Sequence, residues 1–349
     1  MPAENAEHTE ISCFIKVNFR ALSRISWAIS KNMEKQTLKV GLAQFAPVWM
    51  KREQTIEKAM EYAENAAAQN AELVILGGEG CVGGYPFWLE LTDGARFNSK
   101  IQKEFFAEYS NQAVNIERGD LWTICQLARD KKIAIYLGMI EKPDNRGESL
   151  YASLVFIDQN GEIKSVHRKL VPTYEERLVW GNGDGNGLRV HRLNAFTVGG
   201  LNCWENWNPL ARAALYGQGE DFHVCVFPGG LHNVDVTKFI AKESRSFATS
   251  VCCLMRKEDF PKDTIHLDKI LENAPDVLAN GGTCLAGPDG EWIIEPFCNE
   301  EKLVVVEIDH ARVREERQNM DMVGHYTRPD VLQLKVNRER QTLVKFEDS

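Results

Sequence analysis

The sequence predicts an α/β protein, and in particular a four-layer α-β-β-α sandwich made of two similar halves. Short apolar strands alternate with helical segments along most of the 349 residues. Residues 154–163 and 284–292 each place an apolar strand, a glycine turn and a second strand, which is the pattern of a β-hairpin. The alternation and the two matching hairpins together predict two sheet-and-helix halves that pack face to face.

In the first half, strands are predicted at residues 38–45, 73–76 and 133–139. A helix is expected from Gln54 onward because apolar residues recur on one of its faces, and residues 101–131 are expected to be mainly helical. The order of these elements is that of strands joined by helical connections.

In the second half, we predict strands at residues 197–203, 223–227 and 250–254 and helices at residues 209–217 and 238–247. Residues 261–282 are polar and show no clear hydrophobic period. A variable loop is favoured for them over a surface segment bordering the site. The chain from His310 onward is charged and partly helical, and tails of this kind often pack on a neighbouring subunit.

Composition and charge indicate a globular protein with a small-molecule partner. The chain is 44% hydrophobic and 26% charged, which provides for a sizeable core. A formal charge of −9 without a basic cluster argues against a nucleic-acid partner. No run of about 18 or more apolar residues is present, so no membrane span is expected. Nine cysteines without framework spacing predict a reducing compartment and hence a cytoplasmic protein.

One catalytic domain is expected over residues 37–335, because no linker rich in Pro, Gly or Ser divides the chain. Residues 1–36 are interpreted as an N-terminal extension and residues 336–349 as a C-terminal tail. Part of the extension, residues 11–32, has basic and apolar residues but no acid, as a transit peptide would. Three upstream glutamates spoil that composition and favour a start codon upstream of Met33 as the explanation.

Cys203 is the first candidate for chemistry. It ends an apolar strand and is soon followed by Asn208 and Pro209, which suit the start of a helix. A strand-to-helix turn exposes a thiol, and the backbone N–H groups that follow can lower its pKa and hold a developing anion. An inert buried cysteine is the alternative, so the functional interpretation depends on the other motifs.

Glu79 follows the strand at 73–76 through Gly77 and Gly78, at the kind of strand end where sites of α/β proteins assemble. A carboxylate kept dry there has a raised pKa and exchanges protons near neutral pH, whereas a solvated loop acid is the alternative. Lys169, at the end of the first hairpin, either belongs to a surface basic cluster or provides a fixed ammonium for a thiolate and an oxyanion.

Glu176 has the spacing of a helix capping box with Thr173, and it also stands where it can position Lys169. Other chemistries have less support. The glycine-rich residues 181–187 lack the context of a phosphate-binding loop, and zinc-ligand spacing is absent from the sequence, so no metal site is expected. A Cys–His pair stays open because eight histidines are present, although none has a telling context.

Together the motifs resemble the nitrilase superfamily, and more narrowly its nitrilase branch, from about residue 38 to residue 334. In chain order they are residues 41–47 (GLAQFAP), Glu79 with 84–88 (GYPFW), 167–173 (HRKLVPT) with 176–181 (ERLVWG), 203–205 (CWE) and 324–330 (GHYTRPD). The resemblance implies the carbon-nitrogen hydrolase type of sandwich and an enzyme that converts a nitrile to the carboxylic acid and ammonia.

The resemblance places the catalytic glutamate, lysine and cysteine of the family on Glu79, Lys169 and Cys203, and its second glutamate on Glu176. Cys203 would attack the nitrile carbon, Glu79 would move protons, Lys169 would stabilise anionic intermediates and Glu176 would orient them. The backbone N–H of Trp204 would help to form the oxyanion hole. No metal or organic cofactor is implied, and a homodimer or larger homo-oligomer is expected.

Two departures from the family pattern lie beside these residues. Gly77 and Gly78 replace an aromatic-proline pair, which is expected to loosen the loop that holds Glu79. Asn206 stands where many nitrilases carry histidine, which is expected to alter the balance of acid and amide products. Aromatic side chains crowd the motifs and, as a hypothesis, line an apolar substrate pocket, with core packing as the alternative. They are Tyr85, Phe87, Trp88, Trp180, Trp204 and Trp207.

Three rival functions follow from the same residues. An amidase or carbamoyl hydrolase of the same superfamily would use the same four side chains, but residues 203–205 and 324–330 favour nitrile chemistry. A catalytically silent assembly or binding module is the alternative from another class, and it is disfavoured because all four positions are filled. A Cys–His peptidase has no supporting local signature.

Overall fold

Two mixed β-sheets form the centre of the computed structural model, which describes residues 35–344. The strands are β1 (Thr37–Gln44), β2 (Leu73–Leu76), β3 (Ala134–Glu141), β4 (Tyr151–Ile157), β5 (Ile163–Arg168), β6 (His191–Leu193), β7 (Phe196–Asn202), β8 (Phe222–Phe227), β9 (Phe247–Cys252), β10 (Leu254–Arg256), β11 (Val277–Ala286), β12 (Trp292–Cys298) and β13 (Lys302–Asp309).

The two sheets share one plan. The first has the order β13-β1-β2-β3-β4-β5, and the second has the order β10-β11-β9-β8-β7-β6 with β12 also paired to β11. Three parallel strands lie at the centre of each sheet, namely β1, β2 and β3 in the first and β7, β8 and β9 in the second. Each centre is extended by an antiparallel hairpin, β4–β5 or β11–β12. The predicted hairpins and the two similar halves are therefore confirmed.

The alternation of side chains along the strands produces the layers. On β1, Leu38, Val40 and Leu42 point into a core between the sheets, which the second sheet completes with residues such as Phe222 and Val224. The intervening side chains of the first sheet pack under helices. An aliphatic strand buried on both faces is typical of the parallel centre of an α/β sheet.

Helices cover the outer face of each sheet. They are α1 (Arg52–Ala68), α2 (Trp88–Leu91), α3 (Lys100–Gln112), α4 (Trp122–Lys131), α5 (Pro209–Tyr216), α6 (Val234–Ser244), α7 (Leu267–Asn273) and α8 (Ala311–Glu316). Helices α1 and α4 bury alanine and leucine against the first sheet, while α6 covers the second. The predicted α-β-β-α order of layers is confirmed. Within residues 35–344, no helix has the length and apolar character needed to cross a membrane.

Two segments differ from the prediction. The helix predicted at 238–247 lies earlier, because Arg245 adopts a left-handed conformation (φ 53°) that ends α6, and Phe247 already belongs to β9. The predicted loop at 261–282 is wrong in part, since it contains α7 and the first residues of β11. Its hydrophobic period is weak because Ile270 is the one fully buried residue of α7.

The end of the described chain lies against its own domain. The Arg340 guanidinium contacts Asp184 at 3.0 Å and donates to the carbonyl of Val166 at 2.8 Å, and Asn186 donates to the carbonyl of Arg338. The tail thus joins the glycine-rich loop at 181–187 to β5. The predicted limits of the domain at 37 and 335 stay predictions, and most of the N-terminal extension, residues 1–34, lies outside the described residues, as do residues 345–349.

Candidate active site

Cys203 lies at a sharp turn between a strand and a helix. Strand β7 ends at Asn202, a single turn of 3₁₀ helix spans Cys203–Trp207, and the side chain of Asn208 caps α5 by accepting the backbone N–H of Leu210. Cys203 itself has a left-handed backbone (φ 46°), a conformation that costs a non-glycine residue about 1–3 kcal/mol. The thiol is buried at this elbow, which we define as residues 202–208.

The buried carboxylate of Glu205 ties the elbow to the first sheet. Its Oε1 accepts the backbone N–H of Asn202 at 2.6 Å and lies 2.7 Å from Nε2 of His167, while Oε2 accepts the N–H of Leu170 at 3.0 Å. Burial opposes its ionisation, but His167 and these backbone donors keep the pKa of Glu205 below its usual value. Glu205 therefore fixes the elbow relative to the segment that carries Lys169.

Glu79 is placed by close packing of the two sheets. A Cβ atom on Gly78 would lie 1.7 Å from the carbonyl oxygen of Phe227, so only glycine fits there. The backbone N–H of Gly78 points to Sγ of Cys253 at 3.0 Å, a contact that proline cannot make. The expected loosening of the loop by Gly77 and Gly78 is therefore wrong, because the missing side chains let the second sheet approach.

The structure brings together all four predicted catalytic side chains. The Lys169 ammonium lies 2.8 Å from Oε1 of Glu79 and 2.6 Å from Oε2 of Glu176. One oxygen of each carboxylate and Sγ of Cys203 lie within 4.8 Å of one another. All four groups are buried, so their mutual interactions are weakly screened by solvent.

Glu176 both caps a turn and holds the lysine. Its Oε2 accepts the backbone N–H of Thr173 at 2.6 Å, at the start of the 3₁₀ helix Tyr174–Leu178, and the same oxygen contacts Lys169. Its Oε1 lies 3.0 Å from the hydroxyl of Tyr85. The two roles considered for Glu176 in the sequence are thus compatible in the structure.

The electrostatics of the cluster favour proton exchange between Glu79 and Cys203. Burial raises the pKa of Glu79 to about 8, with Lys169 opposing the shift and Glu176 adding to it. Burial and the neighbouring Glu79 raise the pKa of the Cys203 thiol well above its usual value, against the pull of Lys169. Burial alone would lower the pKa of Lys169, but Glu79, Cys203 and Glu176 raise it, so the lysine stays an ammonium.

These same groups are the place where a metal would bind, since Glu79, Glu176 and Cys203 converge. The Lys169 ammonium already lies at 2.8 and 2.6 Å from the two carboxylates, where it forms an ion pair with each. A divalent cation would meet that fixed positive charge at close range. The residues therefore fit an internal cation better than a bound metal ion.

Of the six aromatic residues expected to line a substrate pocket, Tyr85 contacts the catalytic cluster. Its hydroxyl lies near both Glu175 (2.8 Å) and Glu176, and its ring meets Trp180 edge-on at 5.7 Å between centroids. The Trp180 ring in turn lies 5.7 Å from the Lys169 ammonium. Tyr85 and Trp180 together form an apolar wall on one side of the lysine.

Three other residues of the expected pocket, Trp88, Trp204 and Trp207, lie away from the catalytic cluster. Trp88 packs in the core against Trp49, Phe105 and Tyr109, so for this side chain the core-packing alternative describes its position. The side chains of Trp204 and Trp207 are 49% and 41% exposed on the surface of the elbow. Trp204 can therefore act at the site through its backbone N–H, while its indole faces outward.

Two cavities border the aromatic residues of the expected pocket, one beside Tyr85 and one beside Trp88. Glu79, Tyr85 and Phe87 border a small enclosed cavity together with residues at the end of β8 and at β10. A larger cavity of about 420 Å³ is lined by Trp88, Phe97 and Leu178 but by none of the four catalytic candidates. Of the four candidates, Glu79 borders the small cavity and none borders the larger one, so the small cavity is the one that adjoins the catalytic cluster.

Sequence analysis missed the partners that hold the elbow. His167 and Glu205 are 38 positions apart, and Asn206 contacts His223, which is 17 positions further along. Neither pair shares a motif or a periodic pattern. The polar residue inside the apolar strand 223–227 was the available signal, because a buried histidine needs a partner.

A buried thiol, carboxyl group and ammonium at the strand ends of an α-β-β-α sandwich are the arrangement of a cysteine-dependent hydrolase. Residues 39–318 match the carbon-nitrogen hydrolase family. Nitrilase 1 of Arabidopsis thaliana is 31% identical over 314 residues, covering 89% of this chain and 90% of that protein. A bifunctional nitrilase/nitrile hydratase of Oryza sativa subsp. japonica is 33% identical, covering 89% and 87%.

Among solved structures, a carbon-nitrogen hydrolase from Helicobacter pylori G27 superposes with a TM-score of 0.61 at 18% identity, covering 84% of this chain and 96% of that one. This likeness supports the fold, and the sequence relatives support the branch. The chain belongs to the carbon-nitrogen hydrolase family, within its nitrilase branch, and it is an enzyme that acts on carbon–nitrogen bonds.

Proposed function

We propose that the protein is a nitrilase that hydrolyses an organic nitrile to the carboxylic acid and ammonia, with Cys203 as the nucleophile. Glu79 serves as general base and acid, Lys169 stabilises the anionic intermediates, and Glu176 positions Lys169. The observation that carries the proposal is the Lys169 ammonium, held at 2.8 and 2.6 Å between two buried carboxylates beside the thiol.

In the first step the sulfur of Cys203 bonds to the nitrile carbon, and one π pair of the C≡N bond moves to nitrogen. The thiol proton passes through Glu79 to that nitrogen, which gives a thioimidate. A carboxylate with its pKa raised to about 8 is well matched to this transfer near neutral pH. Lys169 and the backbone N–H of Trp204 stabilise the charge that develops on nitrogen.

In the second step water adds to the thioimidate carbon, and Glu79 takes its proton and passes it to nitrogen. Breaking the C–N bond releases ammonia and leaves a thioester, which a second water hydrolyses to the acid while the thiol is restored. If the C–S bond breaks first, the product is the amide. The Oryza sativa relative, a bifunctional nitrilase/nitrile hydratase, is named for both outcomes.

The test is ammonia release and product identification from matched nitriles and amides, with the wild type compared with Cys203→Ala. The wild type is expected to convert nitriles to acid and ammonia, and Cys203→Ala is expected to lose at least about 10³-fold in kcat because the nucleophile is gone. Cys125→Ala, a cysteine on α4 in the other half, is the matched control.

Each contrary result has its own meaning. Turnover of amides alone would identify an amidase or carbamoyl hydrolase that uses the same residues. An inactive wild type across a broad nitrile and amide panel would favour a silent assembly or binding module. Full activity of Cys203→Ala would exclude Cys203 as the nucleophile.

We further infer that the enzyme works as a homodimer or larger homo-oligomer in the cytoplasm. The oligomer is supported by apolar side chains exposed close together in the sequence, at Trp204, Trp207 and Leu210. The cytoplasmic location is supported by nine cysteines without framework spacing. Light scattering on the full chain tests the oligomer, and Leu210→Lys is expected to reduce its mass. A monomer at all concentrations, or recovery of the protein in a membrane or organelle fraction, would contradict these two inferences.

A further inference from the structure

A buried hydrogen-bond chain lies directly behind the elbow and has no part in the mechanism so far. We propose that Glu220, His223 and Asn206 form a positioning relay that orients and polarises the Cys203–Trp204 peptide, so that its N–H faces the anion formed on the substrate. This inference rests on the proposed function, because it takes Cys203 as the nucleophile.

The contacts form one continuous chain. The Asn206 amide nitrogen donates to the carbonyl of Cys203 at 2.8 Å and to that of Leu201 at 3.2 Å. Its Oδ1 lies 2.8 Å from Nε2 of His223, and Nδ1 of His223 lies 2.8 Å from Oε2 of Glu220. All three relay residues are at most 1% exposed, so solvent does not compete for these bonds.

The direction of the chain follows from its two ends. Because Asn206 faces two carbonyl oxygens, its NH₂ group must point to them and its Oδ1 must accept from His223. Nε2 of His223 therefore carries a hydrogen, and a proton lies between Nδ1 and Glu220. Burial raises the pKa of Glu220; burial alone would lower that of His223, but Glu220 raises it to about 10, so both shifts retain this proton.

Fixing this carbonyl fixes the oxyanion donor, because the C=O of Cys203 and the N–H of Trp204 belong to one planar peptide and point in opposite directions. A hydrogen bond to the oxygen also strengthens the N–H dipole, by about 10–30%. Outside support is needed here, since the left-handed Cys203 (φ 46°) is strained. Arg212, which donates to the carbonyl of Asn206 at 2.7 Å, anchors the relay to α5.

The test separates an oxyanion from a simple thiol reaction. Butyraldehyde reacts with Cys203 by forming an S–C bond, while the carbonyl π pair moves to oxygen. The oxygen then takes the thiol proton, and formation of this adduct needs the Trp204 N–H. Iodoacetamide alkylates the same sulfur with loss of iodide and builds no oxyanion. Asn206→Asp keeps the shape but removes the donor and turns an acceptor toward two carbonyls.

Asn206→Asp is expected to weaken butyraldehyde inhibition by about 10- to 100-fold, in proportion to its loss of kcat, since one oxyanion donor is worth about 10²–10³ in rate. The rate of Cys203 alkylation is expected to change less than about threefold. His223→Leu, which removes the partner of Asn206 Oδ1 and leaves Asn206 in place, is expected to show the same selectivity with a smaller loss, and it replaces Asn206→Asp if that variant fails to fold.

The matched control is Asn233→Asp, which changes another fully buried amide that donates to a backbone carbonyl, that of Gly282 at 2.8 Å. Asn233→Asp is not expected to weaken butyraldehyde inhibition more than it slows the alkylation of Cys203. Equal losses with both probes in the relay variants, or no loss with either, would overturn the relay. A wild type that binds the aldehyde but hydrolyses no nitrile would instead refute the proposed function and leave the relay standing.

Discussion

The loop that carries Glu79 and the elbow that carries Cys203 follow parallel strands of different sheets, yet they fix their side chains by different means. The Glu79 loop is held by packing, with Gly78 pressed against the carbonyl of Phe227. Within residues 35–344 neither oxygen of Glu79 has a well-directed hydrogen bond, and its close polar contact is the ion pair with Lys169. The elbow is instead held by hydrogen bonds from Glu205 and Asn206.

The different ways in which Glu79 and Cys203 are fixed suit the different roles proposed for them. Burial raises the pKa of Glu79 to about 8, and a loop fixed by packing adds no backbone hydrogen bond that would stabilise the charged form and lower this pKa. Cys203, a nucleophile on a strained backbone, is instead fixed by hydrogen bonds, because the peptide next to it must stay in one orientation during the reaction.

The largest effect is expected from Glu79→Gln, which keeps the shape of the side chain and removes proton transfer. We expect kcat to fall by about 10³-fold, within the range of about 10²–10⁴ for a general acid–base group. Thermal unfolding should change little, because the Lys169 ammonium keeps its ion pair with Glu176 in the variant. Glu175→Gln, at the neighbouring acid that contacts Tyr85, is the control, and comparable activity in both variants would remove Glu79 from the mechanism.

Gly78→Ala tests the packing of the Glu79 loop. The new Cβ would meet the Phe227 carbonyl at 1.7 Å, so the sheets must separate, at an expected cost of about 3 kcal/mol in the free energy of unfolding. Urea denaturation measures the loss. Gly217→Ala, at a residue with ordinary helical backbone, should change stability by less than about 1 kcal/mol. Equal stability of the two variants would show that the loop tolerates expansion.

Glu205→Gln tests the hydrogen-bonded side of the comparison. Losing charge-assisted bonds to Asn202, Leu170 and His167 is expected to cost about 2 kcal/mol. Because folding lowers the pKa of Glu205, its stabilising effect is present above the unfolded pKa and is lost as pH falls through the folded one. The variant should therefore lose less stability on acidification than the wild type, and parallel pH curves would contradict this role.

The smallest effect concerns the pH profile. Glu79 must be deprotonated to accept the thiol proton, so kcat/KM is expected to rise with pH through about 8. Glu176 raises the pKa of Glu79, so Glu176→Gln should move this rise in kcat/KM to lower pH, besides slowing the reaction by freeing Lys169. If kcat/KM of Glu176→Gln rises at the same pH as that of the wild type, this rise belongs to a group other than Glu79.

Much of this arrangement could be predicted from local sequence. Apolar runs located β2 and β7, and a catalytic candidate follows each strand. Glu79 comes three residues after Leu76, and Cys203 comes directly after Asn202. The capping spacing of Thr173 and Glu176 also appears in the structure. These features depend on residues close together in the chain, where the pattern of side chains reports on backbone geometry.

Features that depend on distant residues could not be predicted. The Gly77–Gly78 pair was interpreted as a loosened loop because the sequence does not show that Phe227 of the other sheet approaches it. Trp88 and Trp204 both stand in motifs that contain further aromatic residues, but Trp88 packs under α3 and Trp204 faces outward. Contacts between the two sheets decide such cases, and no periodicity reports them.

The central claim is that Cys203 forms a covalent bond to a nitrile carbon during turnover. Acid-quenched mass spectrometry of the wild type reacting with a nitrile tests it most directly. The account predicts a thioimidate or thioester adduct on the peptide that contains Cys203, and none in Cys203→Ala, which releases no ammonia. Nitrile turnover that leaves Cys203 unmodified and persists in Cys203→Ala would contradict it.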